Sequence, residues 1–224
     1  MKYILIMIMS ITFLFGEGLS LEKKDSDTNK EKIIYKDMIS YLKNSNDANQ
    51  FIVLGSLYAN GTEEKDALGQ KIEIDIFLAE KYLLKSAEMG NIRALSVLGG
   101  LILIKEEMRK LDPKLIKAEH YLTTAFKNGD FQAGTILSDL YFEKNDNEKA
   151  IAILFESAEG HDSNAELGLA ILFQKGLIKN NKRIIKRDSN LAIMYLNRAC
   201  KNENKSEKVI KICKDPKYVL PMQE

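Results

Sequence analysis

The sequence predicts an all-α chain arranged as a solenoid of about four helix-pair repeats with capping helices, and three observations predict it. One pattern, AEKYLLKSAEMG (Ala79 to Gly90), returns as AEHYLTTAFKNG (Ala118 to Gly129), AIAILFESAEG (Ala150 to Gly160) and AIMYLNRACKN (Ala192 to Asn202). A second pattern precedes each copy and aligns without gaps: QFIVLGSLY (Gln50 to Tyr58), ALSVLGGLI (Ala94 to Ile102), AGTILSDLY (Ala133 to Tyr141) and AELGLAILF (Ala165 to Phe173). The three prolines, Pro113, Pro216 and Pro221, all lie outside both patterns, as they must if those segments are helices, because proline breaks the helical hydrogen-bond ladder.

The chain opens on a segment that reads as an export signal over residues 1–18. Lys2 supplies the positive start, Tyr3 to Phe15 is apolar except for Ser10 and Thr12, and Gly16, Gly18 and Ser20 are small residues suited to cleavage. The run is shorter than the roughly 20 residues a membrane-spanning helix needs, so no integral span is expected after cleavage. Export places the mature protein in the periplasm or outside the cell. Residues 19–32 are charged, lack periodicity and read as a flexible lead. Residues 33–43 then carry apolar side chains at Ile34, Met38 and Leu42, a spacing that predicts an amphipathic N-terminal capping helix.

The repeats fall at about 48–90, 91–129, 130–160 and 161–202. In the first helix of each, Leu54, Leu98, Leu137 and Leu169 form one apolar column, followed by Tyr58, Ile102, Tyr141 and Phe173. Between them stands a small residue, Gly55, Gly99, Ser138 or Ala170, which permits close approach of the partner helix. Asp75, Asp146 and Asp188 stand four residues before the second helix's first alanine, where an acid suits an N-cap or first turn. Gly90-Asn91, Gly129-Asp130 and Gly160 with Asp162 provide turns from one repeat to the next. Residues 206–214, SEKVIKIC and Lys214, form a C-terminal capping helix, and 215–224 a tail. Caps are needed because a terminal repeat otherwise leaves an apolar face in water.

These residues resemble the Sel-one-like repeat family, a relative of the tetratricopeptide repeats. The shared pattern is A-x-x-x-L-G-x-L-Y, a variable loop, then D-x-x-x-A-x-x-Y-L-x-x-(A/S)-A-x-x-G, from about Ala48 to Lys201. Repeat three departs in its Ser138 and its short loop, and repeat two lacks the aspartate. The resemblance implies a right-handed α/α superhelix used mainly for binding other proteins.

Cys200 and Cys213 are the only cysteines. An even count in an exported chain points to a disulfide, whereas an antiparallel turn near Asn202 to Lys205 would offset them and leave two half-buried thiols. The resemblance adds that a cysteine-rich exported branch of the family carries a bonded cysteine after the alanine near the end of the second helix, as in RAC here. Cys213 lies farther along than that branch's spacing, so a shifted disulfide would pin the capping helix.

The composition excludes some classes. Net charge is +1, with 45% hydrophobic and 29% charged residues, which argues against a general nucleic-acid binder. His120 and His161 lie in different repeats, and no metal-ligand spacing or glycine-rich phosphate loop occurs, so neither metal nor cofactor is expected. S-x-x-K occurs as Ser20 to Lys23 and Ser40 to Lys43, but S-D-N and K-T-G, which complete a penicillin-binding or β-lactamase-like site, are absent.

A binding surface is the better reading. In related tetratricopeptide arrays the first helices line a concave groove, and the position five before the conserved leucine faces the ligand. Here that column is Asn49, Arg93, Gln132 and Asn164, whose amide and guanidinium groups suit an extended polypeptide. Adjacent groove columns include Ser96, Thr135 and Asp139. The fourth repeat's loop gathers Lys182, Arg183, Lys186 and Arg187, a basic patch for an anionic partner, either an acidic protein or membrane headgroups. The expected function is a non-catalytic adaptor or scaffold holding another protein or peptide; the alternatives are an immunity protein neutralising a secretion-system toxin and a β-lactamase-like or peptidoglycan-acting enzyme.

Overall fold

The computed structural model describes residues 35–62, 65, 66, 68–105, 113–179 and 182–215. The signal segment 1–18, the lead 19–32, the start of the first capping helix, Ser20 to Lys23, and the tail after Asp215 lie outside the described residues. Among them are ten helices and one hairpin: α1 (Tyr35–Lys43), α2 (Ala48–Asn60), α3 (Ile76–Glu88), α4 (Ile92–Lys105), α5 (Pro113–Lys127), α6 (Phe131–Glu143), α7 (Asn147–Glu159), α8 (Ser163–Lys175), β1 (Leu177–Lys179), β2 (Lys182–Ile185), α9 (Ser189–Lys201) and α10 (Glu207–Lys214). The first helices of the four repeats are α2, α4, α6 and α8, each followed by its second helix, while α1 and α10 are the caps.

Helix boundaries fall where short polar side chains can satisfy the first free N–H groups. Asp75, Asp146 and Asp188 cap the second helices α3, α7 and α9, accepting from the backbone N–H groups of Leu78, Lys149 and Leu191. Asp47, Asp130 and Asp162 do the same for the first helices α2, α6 and α8, and Ser206 for α10. Each such cap contributes about 1 kcal/mol.

The turns between repeats use a left-handed residue. Gly90 (φ 90°) and Gly129 (φ 88°) fill it as the sequence predicts, but in the next turn the left-handed residue is His161 (φ 63°), and Gly160 has φ −76°. Gly160 is required for a different reason: a Cβ there would collide with the Phe131 ring. The turn glycine read at 160 is therefore a packing glycine.

The described residues divide into two units, 35–121 and 122–215, with the division inside α5. In the first, Leu42, Phe51, Leu54, Leu57, Ile72 and Tyr82 form a core. Gly55 packs against the Leu83 side chain, which a Cβ would approach to 2.6 Å. That contact is the close helix approach expected of the small column. In the second unit the core runs through Leu154, Leu167, Leu169, Tyr195, Leu196 and Val209, with Phe155, Phe173 and Tyr195 stacked edge-to-face or in parallel. Fully burying each leucine contributes roughly 1.5–3 kcal/mol.

The basic segment of the fourth repeat is not a plain loop. Leu177 pairs with Ile185, Ile178 with Arg183 and Lys179 with Lys182 in an antiparallel hairpin, with a register irregularity after Leu177. Apolar residues flanking the Asn180-Asn181 pair in sequence are the ingredients of such a hairpin.

Candidate functional site

Two residues of the polar column of the first helices are bonded within the molecule. Asn49 Oδ1 accepts from Asn91 Nδ2 (3.1 Å), the residue just before the next first helix. Asn164 Oδ1 accepts from the Ser206 hydroxyl (2.7 Å), and Ser206 in turn caps α10 through Val209 N–H. Both pairs span 42 residues, so one geometry recurs: the first turn of a first helix holds the start of the next. Thr135, one turn further along α6, donates its hydroxyl to Asp162 (2.6 Å), which also accepts from Ala165 N–H (2.8 Å) to cap α8.

These contacts correct several expected ligand positions. Thr135 is buried beneath the next repeat's cap and Ser96 is fully buried, so neither is open to a partner. Asn49 is exposed and Asn164 half-buried, and each is bonded to the start of the following element. Arg93 is exposed on the first turn of α4, and Gln132, half-buried, begins α6. Of the predicted column, Gln132 presents its side chain without an inter-repeat bond among the described residues, and Arg93 has further interactions within the chain.

The second unit surrounds the groove-column residue Asp139 with groups that the sequence pattern does not single out, Glu143 and Lys208. Asp139 on α6 is half-buried, and desolvation pushes its carboxyl up to about 6, opposed by the Lys208 ammonium and reinforced by Glu143. Glu143, one turn on, is also pushed up by loss of water. Lys208 on α10 is pushed down by burial and held up by Asp139 and Asp162. Asp162 itself is raised to about 6, first by burial, with its bonds from Thr135 and Ala165 opposing. Glu143 Oε2 and Gln174 Oε1, on the last turns of α6 and α8, are buried acceptors with no hydrogen-bond partner. The first helices α6 and α8 thus each end on an unsatisfied buried acceptor, and Lys208 on the cap α10 lies in the field of Asp139 and Asp162.

The end of the array is tied together by Arg198. Its Nε donates to buried Glu166 (3.0 Å), one terminal nitrogen donates to the Ala158 carbonyl (2.8 Å), and its guanidinium lies 5.5 Å from the Tyr195 ring centre. Cys200 on α9 and Cys213 on α10 are joined by a disulfide with a Cα–Cα distance of 5.6 Å. The offset that an antiparallel turn would impose does not arise, because residues 202–206 give α10 a fresh start. Asn202 Nδ2 donates to the His161 carbonyl (2.6 Å) and Lys205 Nζ to the Asn202 carbonyl (2.7 Å), shaping that turn.

The basic patch is dispersed. Arg187 Nε donates to the Gln174 carbonyl (3.0 Å), which makes it part of the hairpin's attachment. Arg183 and Lys186 are exposed, and the Lys182 side chain lies outside the described residues. For the serine reading, no hydrogen bond joins Ser40 to Lys43, whose ammonium sits 6.0 Å from the Tyr58 ring centre. Among the described residues no three His, Cys, Asp or Glu side chains gather as a metal site, and no helix is long and apolar enough to cross a membrane.

No family model and no curated protein matches the chain. Solved structures do. The chain is similar to a Sel1 repeat protein from Oxalobacter formigenes, with a TM-score of 0.56, 21% identity, and coverage of 75% of this chain and 65% of that one. It is also similar to c5321, described as a protective antigen present in uropathogenic Escherichia coli strains and displaying an SLR fold, with a TM-score of 0.50, 17% identity, and coverage of 72% of this chain and 32% of that one. The chain therefore spans about two thirds and about one third of the lengths of these two structures. With its repeated, N-capped helix pairs, the chain has the Sel1-repeat fold.

Proposed function

We propose that this chain is an exported, non-catalytic protein-interaction module that holds a segment of a partner polypeptide against the first-helix face of its second unit. The observation that carries the reading is that Glu143 Oε2 and Gln174 Oε1, at the last turns of the first helices α6 and α8, are buried acceptors without partners, with Asp139 one turn before Glu143. Buried acceptors without partners are rare in folded chains, and donors from a partner, either backbone N–H groups or a basic side chain, would satisfy them. Gln132 lies on the same helix as Asp139, and its amide offers both a donor and an acceptor. A preformed surface of this kind limits the entropy lost on binding.

Export is supported by the apolar leader and by the Cys200–Cys213 bond, which persists in oxidising compartments. Adaptor and toxin-neutralising roles both use such a face, and the identity of the partner separates them. A catalytic role finds little support, since Ser40 has no base bonded to it and the S-D-N and K-T-G companions are absent. The test is capture of partners from an envelope extract by the purified chain and by Gln132→Ala/Asp139→Asn. The double variant is expected to lose at least about tenfold in recovery while melting no lower than the parent, in line with loss of two polar contacts to the partner. Equal recovery would sink the reading, and stoichiometric labelling of Ser40 by a covalent β-lactam probe would replace it with the enzymatic one.

A further inference from the structure

The first unit holds a second candidate surface, remote in kind from the first-helix face and independent of it. Residues 70–75, between α2 and α3, form neither helix nor regular strand, with Asp75 extended (φ −134°, ψ 96°), and border an open cavity of about 650 Å³ whose opposite wall is α1. One side of this run is used, by the alternate residues Gln70 and Ile72, which is the pattern of extended backbone. Gln70 N–H donates to Asp66 and its carbonyl accepts from Asp66 N–H, while Ile72 N–H donates to the Thr62 hydroxyl and its carbonyl accepts from Thr62 N–H. In extended backbone the N–H and C=O of alternate residues point to opposite edges. The alternate residues here, Lys71 and Glu73, line the cavity, and among the described residues their backbone groups have no partner.

The chemistry of the walls says what would fit. Ile72 is anchored in the core, which fixes the strand in place. Tyr35, Ile39 and Tyr58 supply apolar surface. Lys36, Lys43 and Lys71 also line the cavity and form no ion pair among the described residues, whereas of the two facing acids Asp75 is engaged in capping α3. Three lysines against Glu73 and Asp75 leave one net positive charge beside the backbone groups of Lys71 and Glu73.

We propose that this cavity is a docking site for an extended, acidic polypeptide segment of another protein, which adds as a strand to the 71/73 edge. Main-chain pairing would provide affinity, and the lysines would select acidic side chains on the incoming strand. Exposed strand edges are otherwise templates for unwanted association, which is why an unblocked one beside a formed groove is informative.

The test uses the full chain and a capped hexapeptide alternating glutamate and valine, followed by titration calorimetry. Binding is expected, and the lysine–valine counterpart should bind at least about tenfold more weakly, the effect of reversing charge beside lysines at low salt. Two further peptides, N-methylated at all glutamates or at all valines, test the mode without altering the protein. Strand addition requires that one be tolerated and the other lose at least about tenfold, because only alternate N–H groups face the edge. Lys36→Glu/Lys71→Glu should invert the charge preference with unchanged melting. Failure of the parent peptide to bind, or equal binding of the two N-methylated forms, would overturn the proposal. So would amides of Lys71 and Glu73 already protected from hydrogen exchange in the free chain, or self-association with rising protein concentration, which would give the edge to the chain's own residues or to a second copy.

Discussion

Asp139, on the first helix of the third repeat, and Lys208, on the capping helix after the fourth, share one water-poor environment in which each opposes the other's loss of charge. The two residues are far apart in sequence, and α6 and α10 must both be in place for either charge to act on the other. The pair therefore reports on whether the cap is seated.

The pH dependence of stability follows from that environment. Asp139 and Asp162 both have folded carboxyls raised from 3.8 to about 6, so the folded chain binds their protons more tightly than the unfolded one. Their contribution is complete below about pH 4 and disappears as pH rises through about 6. Asp139→Asn should remove roughly half of this loss between pH 4 and 6, read as melting temperature against pH. At pH 7 the variant should be more stable by about 1 kcal/mol, since the cost of a buried carboxylate is gone. Lys208→Met should act oppositely, moving the Asp139 titration above about 6, which carboxyl chemical shifts would register.

Arg198, half-buried, forms an ion pair with the buried Glu166 in the fourth repeat. Arg198→Ala should destabilise by about 3 kcal/mol, because it strands a buried carboxylate and frees the Ala158 carbonyl. Glu166→Leu/Arg198→Met should recover much of that loss in urea unfolding. A single variant as stable as the parent would contradict the assignment.

The disulfide closes a short loop across the last turn. Its removal by Cys200→Ala/Cys213→Ala should cost about 2–3 kcal/mol. Hydrogen exchange should quicken first in α10, with Val209 as its buried anchor, while α2 and α3 keep their protection.

Gly160 and His161 separate packing from backbone strain. Gly160→Ala forces a Cβ into the Phe131 ring and should cost about 2 kcal/mol or more. His161→Gly relieves a left-handed residue and should be neutral or stabilising by up to about 1 kcal/mol. Thermal melting of the two variants checks both signs.

Much of the architecture was legible because stacking repeats a pattern locally. Asp75, Asp146 and Asp188 cap helices within three residues of themselves, so spacing alone locates them. The polar column was less legible. Asn49, Thr135 and Asn164 bond to residues 42, 27 and 42 positions away, and sequence cannot tell a side chain facing a ligand from one facing the next repeat. The hairpin at 177–185 was hidden for another reason: its basic residues look like a solvated loop, and the strand alternation is short and broken by an irregular register. Glu166, Arg198 and Lys208 carry no motif, and only the folded second unit brings them to their partners.

The most direct test of the interaction-module account is site-specific photo-crosslinking in the native envelope. A crosslinking residue at Gln132, on the first-helix face, should trap one discrete protein partner, and one at exposed Glu156 on the second helix α7 should not. Equal labelling from both positions, or none from Gln132 while the chain is folded and exported, would contradict the account.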